Sequence, residues 1–470
     1  MRILRKLVFY LFCAIYLIFC PMIILYALGY FLAPGTGQEV IKTGLIYLSS
    51  APPKASVYLE GKRYTEKTPT VLRDLLPGNY HVRLLLKGHQ PWAQTVPVEA
   101  EKATALEKIL LLPQEWEREE LLPDSFEDLI PLPGTDSFLL SKGPRLQDLV
   151  VFDWKKERGR SLVPPDSPYA DAKILSRFFV KGSPFFLLRI GIRGEERFLR
   201  VEPKEEETDV EDLTPFFLVE PEEVQWDPRE KKYLFAFQGG TLNRIDLDAK
   251  TILPKFSEHV RGYGLFDEKA CILKDDFSFS RMDLNGKNEE SLLRDPALGR
   301  SLFAEEGRFR VEVLSDDLIF FWGKRGEWLG NRLPYRFVEE GVAGFEPYPP
   351  LQRVLLWKKD RLGVLDSSVR PEEKTVFEEG PRLAWVFKEG QKIEQAYWVY
   401  EGSHILFRDK DRVFLLEIEA YGKPHLDVVS SVKSKSSVFY SEESGKLYYL
   451  ENTKGRLLCV GILPRKEPKP

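Results

Sequence analysis

The chain opens with an uncharged apolar run from Leu7 to Leu32, then changes pattern abruptly. As a helix rising about 1.5 Å per residue, that run reaches roughly 39 Å, more than the ~30 Å hydrocarbon core of a bilayer. Pro21 removes one helical N–H near its middle, and Tyr26 and Tyr30 suit the far interface. The pattern predicts one transmembrane helix over 7–32. Past Gly35, short alternating runs take over. Gly44 to Ser50 and Ser56 to Glu60 read as strands separated by Pro52-Pro53, and Gly61 closes the second. Leu76-Pro77-Gly78-Asn79 has turn chemistry, Pro at the first central position and Gly supplying positive φ at the second. Tyr80, Val82, Leu84 and Leu86 then alternate up to Gly88, and Trp92, Val96 and Val98 begin another strand. So many strands in so short a segment predict a compact β-sandwich over 43–112.

An acidic, Pro-flanked stretch, PQEWEREELLPD, reads as a linker over 113–124. Beyond it one unit recurs eight times: apolar strand, polar turn, apolar strand. The eight are marked by LVVFDW, FFLLRIGIRGEERFLRVEP, YLFAFQGGTLNRIDLDAK, ACILKDDFSFSRMDLNGK, LIFFWGKRGEWLGN, VLLWKKDRLGVLDSS, ILFRDKDRVFLLEIEA and LYYLENTKGRLLCVGIL. Their spacing averages roughly 44 residues, the per-blade length of a β-propeller. One hairpin cannot bury both of its faces, whereas four-stranded sheets packed radially bury them and leave only short edges. The repeats predict a seven- or eight-bladed propeller over 125–464, followed by a tail, 465–470. A chain of two β-sandwiches or smaller propeller units is the alternative. The fold class is therefore all-β behind one N-terminal transmembrane helix.

Charge sets orientation and removes one class of partner. With 68 basic and 72 acidic residues the net charge is -4, which leaves no basic footprint for nucleic acid. Arg2, Arg5 and Lys6 precede the apolar run, while only Glu39 and Lys42 follow it closely. By the positive-inside tendency, 1–6 is cytoplasmic and the rest is an ectodomain, in the periplasm or on the cell surface. A cleaved signal peptide has a shorter apolar core, about 7–15 residues; Ala27-Leu28-Gly29 is a weak cleavage site. A lipoprotein reading of Cys20 fails against the bulky Phe19 and the apolar residues beyond. Cys13 and Cys20 lie in the apolar run; Cys271 and Cys459 lie far apart, and none has C-x-x-C spacing.

The order Pro-x-x-Ala (Pro52 to Ala55), Val57-Tyr58-Leu59, Gly61, Thr68-Pro69, Leu76-Pro77-Gly78-Asn79-Tyr80, Gly88, Trp92 resembles a PEGA domain. The resemblance implies a small β domain, of a kind often found beside a membrane segment on bacterial surface proteins, with no catalytic residues. It departs at the name-giving tetrapeptide, where Pro53 stands for Glu and Lys54 for Gly. A Lys does not take positive φ cheaply, so the departure bears on that turn. Asp246 to Ala249 and Asp283 to Gly286 resemble the strand endings of TolB-type and WD-like propeller repeats, by pattern alone.

Candidate chemistry is sparse. No G-x-S-x-G elbow occurs, and Gly182-Ser183 and Gly402-Ser403 stand without supporting pattern. Gly35-Thr36-Gly37 lacks the rest of a nucleotide fingerprint, and no protein-kinase motif is present. His81, His89, His259, His404 and His425 are scattered. KEEETDVED, Lys204 to Asp212, lacks the alternating ligands and Gly of a calcium loop and reads as a solvated loop. Asp275-Asp276 and Asp409-Lys410-Asp411 read as hairpin turns. Trp385, Tyr397, Trp398, Tyr400 and Phe407 are the residues that would line a carbohydrate or peptide site, but at strand spacing they read as core. No catalytic, cofactor-binding or metal-ligating residue is assigned, and no cofactor is expected. The expectation is a non-enzymatic envelope protein, its partners the lipid bilayer and an envelope protein or glycan. A propeller enzyme acting on glycans, and an envelope sensor or assembly subunit, are the alternatives.

Overall fold

A computed structural model describes residues 2–27, 30–32, 40–132, 135–179, 183, 185–217, 219–293, 295–303, 307–316, 318–323, 328–329, 337–366, 382–418 and 424–464. Gly35-Thr36-Gly37, Gly182 and the tail 465–470 lie outside them. Helix α1, Arg2–Ala27, takes in the flanking basic residues and contains Pro21. It stops short of the predicted end: Tyr30–Leu32 is a strand paired antiparallel with Val40–Lys42, so the last residues expected in the helix are extended. Among the described residues no helix is long and apolar enough to cross a membrane. Side chains of α1 are described only from 8 to 24, about 26 Å of helix, and the absence of a crossing helix holds for that span. They are exposed except Cys13 and Cys20, which are half-buried.

Residues 44–110 form a sandwich. One sheet has the order Thr70–Leu75, Gly44–Ala51, Ala103–Leu110, the last pair parallel; the other has Lys62–Lys67, Ser56–Leu59, Gly78–Leu85, Trp92–Val98. Alternation places Ile46, Leu48, Val57, Leu72, Val82, Leu84 and Val96 in one dry core. A polar knot closes one end. The buried Thr68 hydroxyl accepts from Ala55 N (3.0 Å) and contacts Ser50 Oγ (2.7 Å), while Thr68 O accepts from Lys54 N (2.8 Å). Lys54 adopts φ +68° there, so the turn keeps its left-handed residue although a lysine fills it. At the opposite turn, the Tyr80 hydroxyl donates to Leu76 O (2.9 Å).

Among the described residues the remainder holds eight four-stranded antiparallel sheets, arranged as propeller blades. Blades 1 to 7 span 128–161, 173–212, 223–257, 260–293, 309–339, 344–387 and 393–431. First strands of neighbouring blades pack together in blades 4 and 5, 6 and 7, and 8 and 1, which puts those strands innermost. Each of the eight predicted hairpins is the second and third strand of a blade. One expectation is corrected. The stretch read as a linker, 113–124, contains most of the strand Arg118–Ser125, which pairs with Arg456–Gly461 as the fourth strand of blade 8. The C-terminal segment supplies only Phe439–Ser441, Lys446–Leu450 and Arg456–Gly461, and the added strand covers an edge that would otherwise be open. Its glutamates pair with blade 8: Glu119 with Lys446 (3.5 Å) and Glu120 with Arg456. This closure ties both ends of 118–461 into one ring, against the alternative of two smaller units. Cys271 and Cys459 are free and buried in blades 4 and 8, where burial pushes both thiols up to about 12.

Candidate functional site

Two places gather polar side chains. The first is the junction between the sandwich and blade 7. Trp92, at the start of an edge strand, is almost fully buried, and its indole N–H donates to both carboxylate oxygens of Glu417 (3.2 Å each). His425 stacks on Trp92 (centroids 6.5 Å apart), and its Nε2 contacts Ala93 O at 3.3 Å. Glu417 lies opposite His404 in the blade, and Lys108 donates to Glu401 O (2.9 Å) nearby. Leu110 completes the contact, buried with Val399, Leu406 and Leu415 of the blade.

The sequence presents His404, Ser403 and Glu417 as unrelated; the fold brings them together as a serine–histidine–acid set. The geometry is not that of a nucleophile. Ser403 is 1% exposed, its hydroxyl donates to Tyr400 O (2.7 Å), and His404 Nδ1 lies 2.9 Å from Ser403 Oγ. The adjoining void, between Trp92, His404, Glu417 and His425, is about 30 Å³, room for a single water. Burial, then the neighbouring His425, lowers the His404 pKa to about 3, so its imidazole stays neutral at ordinary pH. This cluster is a clamp.

The second place is a cavity of about 830 Å³ among the innermost strands of blades 3 to 5. Its wall carries Phe179, Trp322, Arg308, Arg310, Glu223 and Glu312. Arg308 pairs with Glu223 and lies 4.0 Å from Glu222, and burial lowers its pKa. Arg310 pairs with Glu312 (2.5 Å) and lies over the rings of Trp322 and Phe345 at about 6 Å. Close backbone packing shapes the wall. A Cβ on Gly262 would sit 2.2 Å from Phe309 O, and one on Gly264 2.4 Å from Val311 O, so only glycine lets these two strands meet. Mixed charge, half-buried aromatic rings and volume together fit ligand binding.

The other sequence candidates stay apart. Phe407 and Trp398 are core, the latter donating its N–H to Glu346 O (2.9 Å). Tyr397 donates to Val438 O (2.8 Å), Tyr400 sits against His404, and Trp385 lies beneath Lys358 and Arg361. His81 is exposed, His89 contacts Lys87 O (3.1 Å), and His259 lies 3.8 Å from Asp275. Lys204 to Asp212 is a hairpin whose turn carbonyls at Lys204 and Glu207 accept from Arg160. Asp275-Asp276 and Asp409-Lys410-Asp411 fall at blade turns. Among the described residues no group of three His, Cys, Asp or Glu is placed to hold a metal ion. Sequence reading passed over Arg308, Arg310 and Glu417; only alternation within their strands signals which face they occupy.

Residues 43–111 match the PEGA domain family. About three quarters of the chain is similar, at low identity, to solved propellers. The Dos1 propeller is 12% identical, covering 74% of this chain and 95% of that one, with a TM-score of 0.45. YCF48 from Cyanidioschyzon merolae is 12% identical over 73% and 98%, TM-score 0.40. The propeller domain of Cps50 (Swd1) from Myceliophteria thermophila is 8% identical over 73% and 99%, TM-score 0.36. Blade number and closure rest on the sheets described above. No curated protein matches the chain.

Proposed function

We propose that the chain is a non-enzymatic, single-span envelope scaffold whose propeller binds a protein or glycan partner outside the cytoplasmic membrane. The observation that carries this reading is the cavity among blades 3 to 5, wide and open, with Arg308 and Arg310 already held by Glu223 and Glu312. Paired charges present a fixed recognition surface rather than a free acid, base or nucleophile. The clamp at Trp92 supports the same reading, because it holds the propeller on its small module in one orientation.

Anchoring rests on the sequence and the helix together. The uncharged helical part, 7–27, is about 31 Å long, which matches a ~30 Å hydrocarbon core. Side chains such as Phe12, Tyr16, Leu17 and Ile23 project into open space. Arg2, Arg5 and Lys6 precede them, which favours a cytoplasmic N-terminus.

A photo-crosslinker at Phe179 in the full chain, activated in intact envelopes, tests the binding role. A stoichiometric adduct lost on Trp322→Ala is the expected result. Absence of any adduct, together with turnover of envelope polymers by the purified chain, would overturn it. Protease treatment of cells with the outer barrier opened tests topology: the propeller should be cleaved, and full protection would refute the outside assignment.

A further inference from the structure

Among the described residues no layer covers the outer face of the module's four-stranded sheet, and its exposed side chains are rich in cations. In the register, Tyr58 lies opposite Arg63 on one neighbouring strand and Arg83 on the other, while Ser56 lies opposite Lys67 and Leu85. Directly opposed residues share a face, and positions two apart along a strand do so as well. Lys54 lies just before the strand Ser56–Leu59 and Lys87 just after Gly78–Leu85, at the ends of those rows. Three exposed cations, Arg63, Lys67 and Arg83, thus share the face of Tyr58, and the exposed Lys54 and Lys87 flank its strands in sequence. No ion pair engages any of them in the described structure. The nearest acids are turned to other work: Glu60 accepts from His81 N, and Glu66 accepts from Thr70 Oγ1.

We infer that this face docks on an anionic plane, the phosphate headgroups of the bilayer that holds α1. The inference rests on the anchoring reading for its choice of surface. Three observations favour that occupant. The basic side chains of the sheet are exposed side by side, which suits a plane rather than a projecting ligand. The strand Gly44–Ala51 begins two residues after Val40–Lys42, itself paired back to Tyr30–Leu32 just beyond the helix, so the same bilayer is always within reach. Lastly, basic residues near an anionic surface are drawn to it additively, whereas an acidic body is repelled. The module, 43–112, has nine basic and six acidic residues, while 113–470 has 55 and 65. Charge alone would then turn the module down and the propeller outward.

The test uses the full chain with Cys13→Ser, Cys20→Ser and Thr95→Cys, a fluorophore on the introduced thiol, and vesicles carrying a headgroup quencher. Thr95 is exposed and opposite His81, on the same face. Vesicles are either phosphatidylcholine alone or phosphatidylcholine with phosphatidylglycerol. Quenching at least about fivefold stronger with phosphatidylglycerol is expected, reduced to the neutral level by Arg63→Glu with Arg83→Glu or by molar salt. Arg63→Lys with Arg83→Lys should restore it, which separates charge from misfolding. Equal quenching on both vesicle types, or quenching indifferent to charge reversal, would overturn the proposal. So would displacement of the face from phosphatidylglycerol by a soluble anionic glycopolymer at lower charge concentration, which would assign the face to polymer. Anchoring is read separately, by flotation. Flotation on both vesicle types without charge-dependent quenching sinks the headgroup contact alone. Flotation only on phosphatidylglycerol, lost on charge reversal, sinks the anchor and keeps the contact.

Discussion

Residues 54, 63, 67, 83 and 87 leave five cations without an ion pair on or beside one small sheet, while in blades 2, 4 and 5 Arg189, Arg200, Arg281, Arg308 and Arg310 each engage a carboxylate. The module buries a polar knot around Thr68, whereas the propeller sets its ion pairs along blade faces and around its cavity. Exposed pairs of this kind are worth little singly, about 0–1 kcal/mol, so they do not explain the propeller's stability. What they fix is position: a paired arginine is a shaped surface, and an unpaired lysine is a long-range attractor. The two regions meet at one small contact, where Trp92 from the basic body is buried against Glu417 of the acidic one.

The largest break in that comparison is expected from Trp92→Ala. It removes a buried indole and the N–H that donates to Glu417, which should cost about 3 to 5 kcal/mol. In denaturant, module and propeller should then melt separately, and a single unchanged transition would show that the clamp contributes nothing. Next comes Gly262→Ala, which drives a methyl into Phe309 O and should destabilise the propeller by about 3 kcal/mol while leaving the module untouched. Retained stability would mean that the inner strands of blades 4 and 5 are not in backbone contact.

Acid separates the regions more gently. The folded pKa of His404, about 3, lies below the ordinary 6.5, so the unfolded chain takes up a proton that the folded chain refuses. The stability from keeping it neutral is complete above pH 6.5 and is lost as pH falls toward 3. At pH 5 the loss is about 2 kcal/mol. His404→Gln should flatten that decline in blade 7, and an unchanged pH profile would remove His404 from the account. Smallest is Lys54→Gly, which relieves a lysine held at φ +68° and should raise module stability by about 0.5 to 1 kcal/mol. A loss instead would mean that the side chain compensates for its backbone.

Much of the fold was readable because its signals are local. Each blade's second and third strands are joined by a short polar turn, so alternation and spacing within one window expose the hairpin, and the same holds for the module around Leu76 to Tyr80. The closing strand was hidden because REELLPDS has the composition of a loop; it is a strand only because blade 8 lacks a fourth. The helix end at Ala27 was missed because hydropathy does not register the pairing of Tyr30–Leu32 with Val40–Lys42. Neither candidate site was readable. Trp92 and Glu417 are separated by 325 residues, and Arg308 meets Glu223 across two blades. Ring closure, not local pattern, brings such residues together.

The central claim is that one buried contact makes the module and the propeller a single body. The direct measurement is the distribution of distances between spin labels at Thr95→Cys and Lys454→Cys, in the full chain with Cys13 and Cys20 replaced by serine. One narrow population is expected, broadening on Trp92→Ala. A broad distribution before that substitution, or a narrow one that survives it, would contradict the claim.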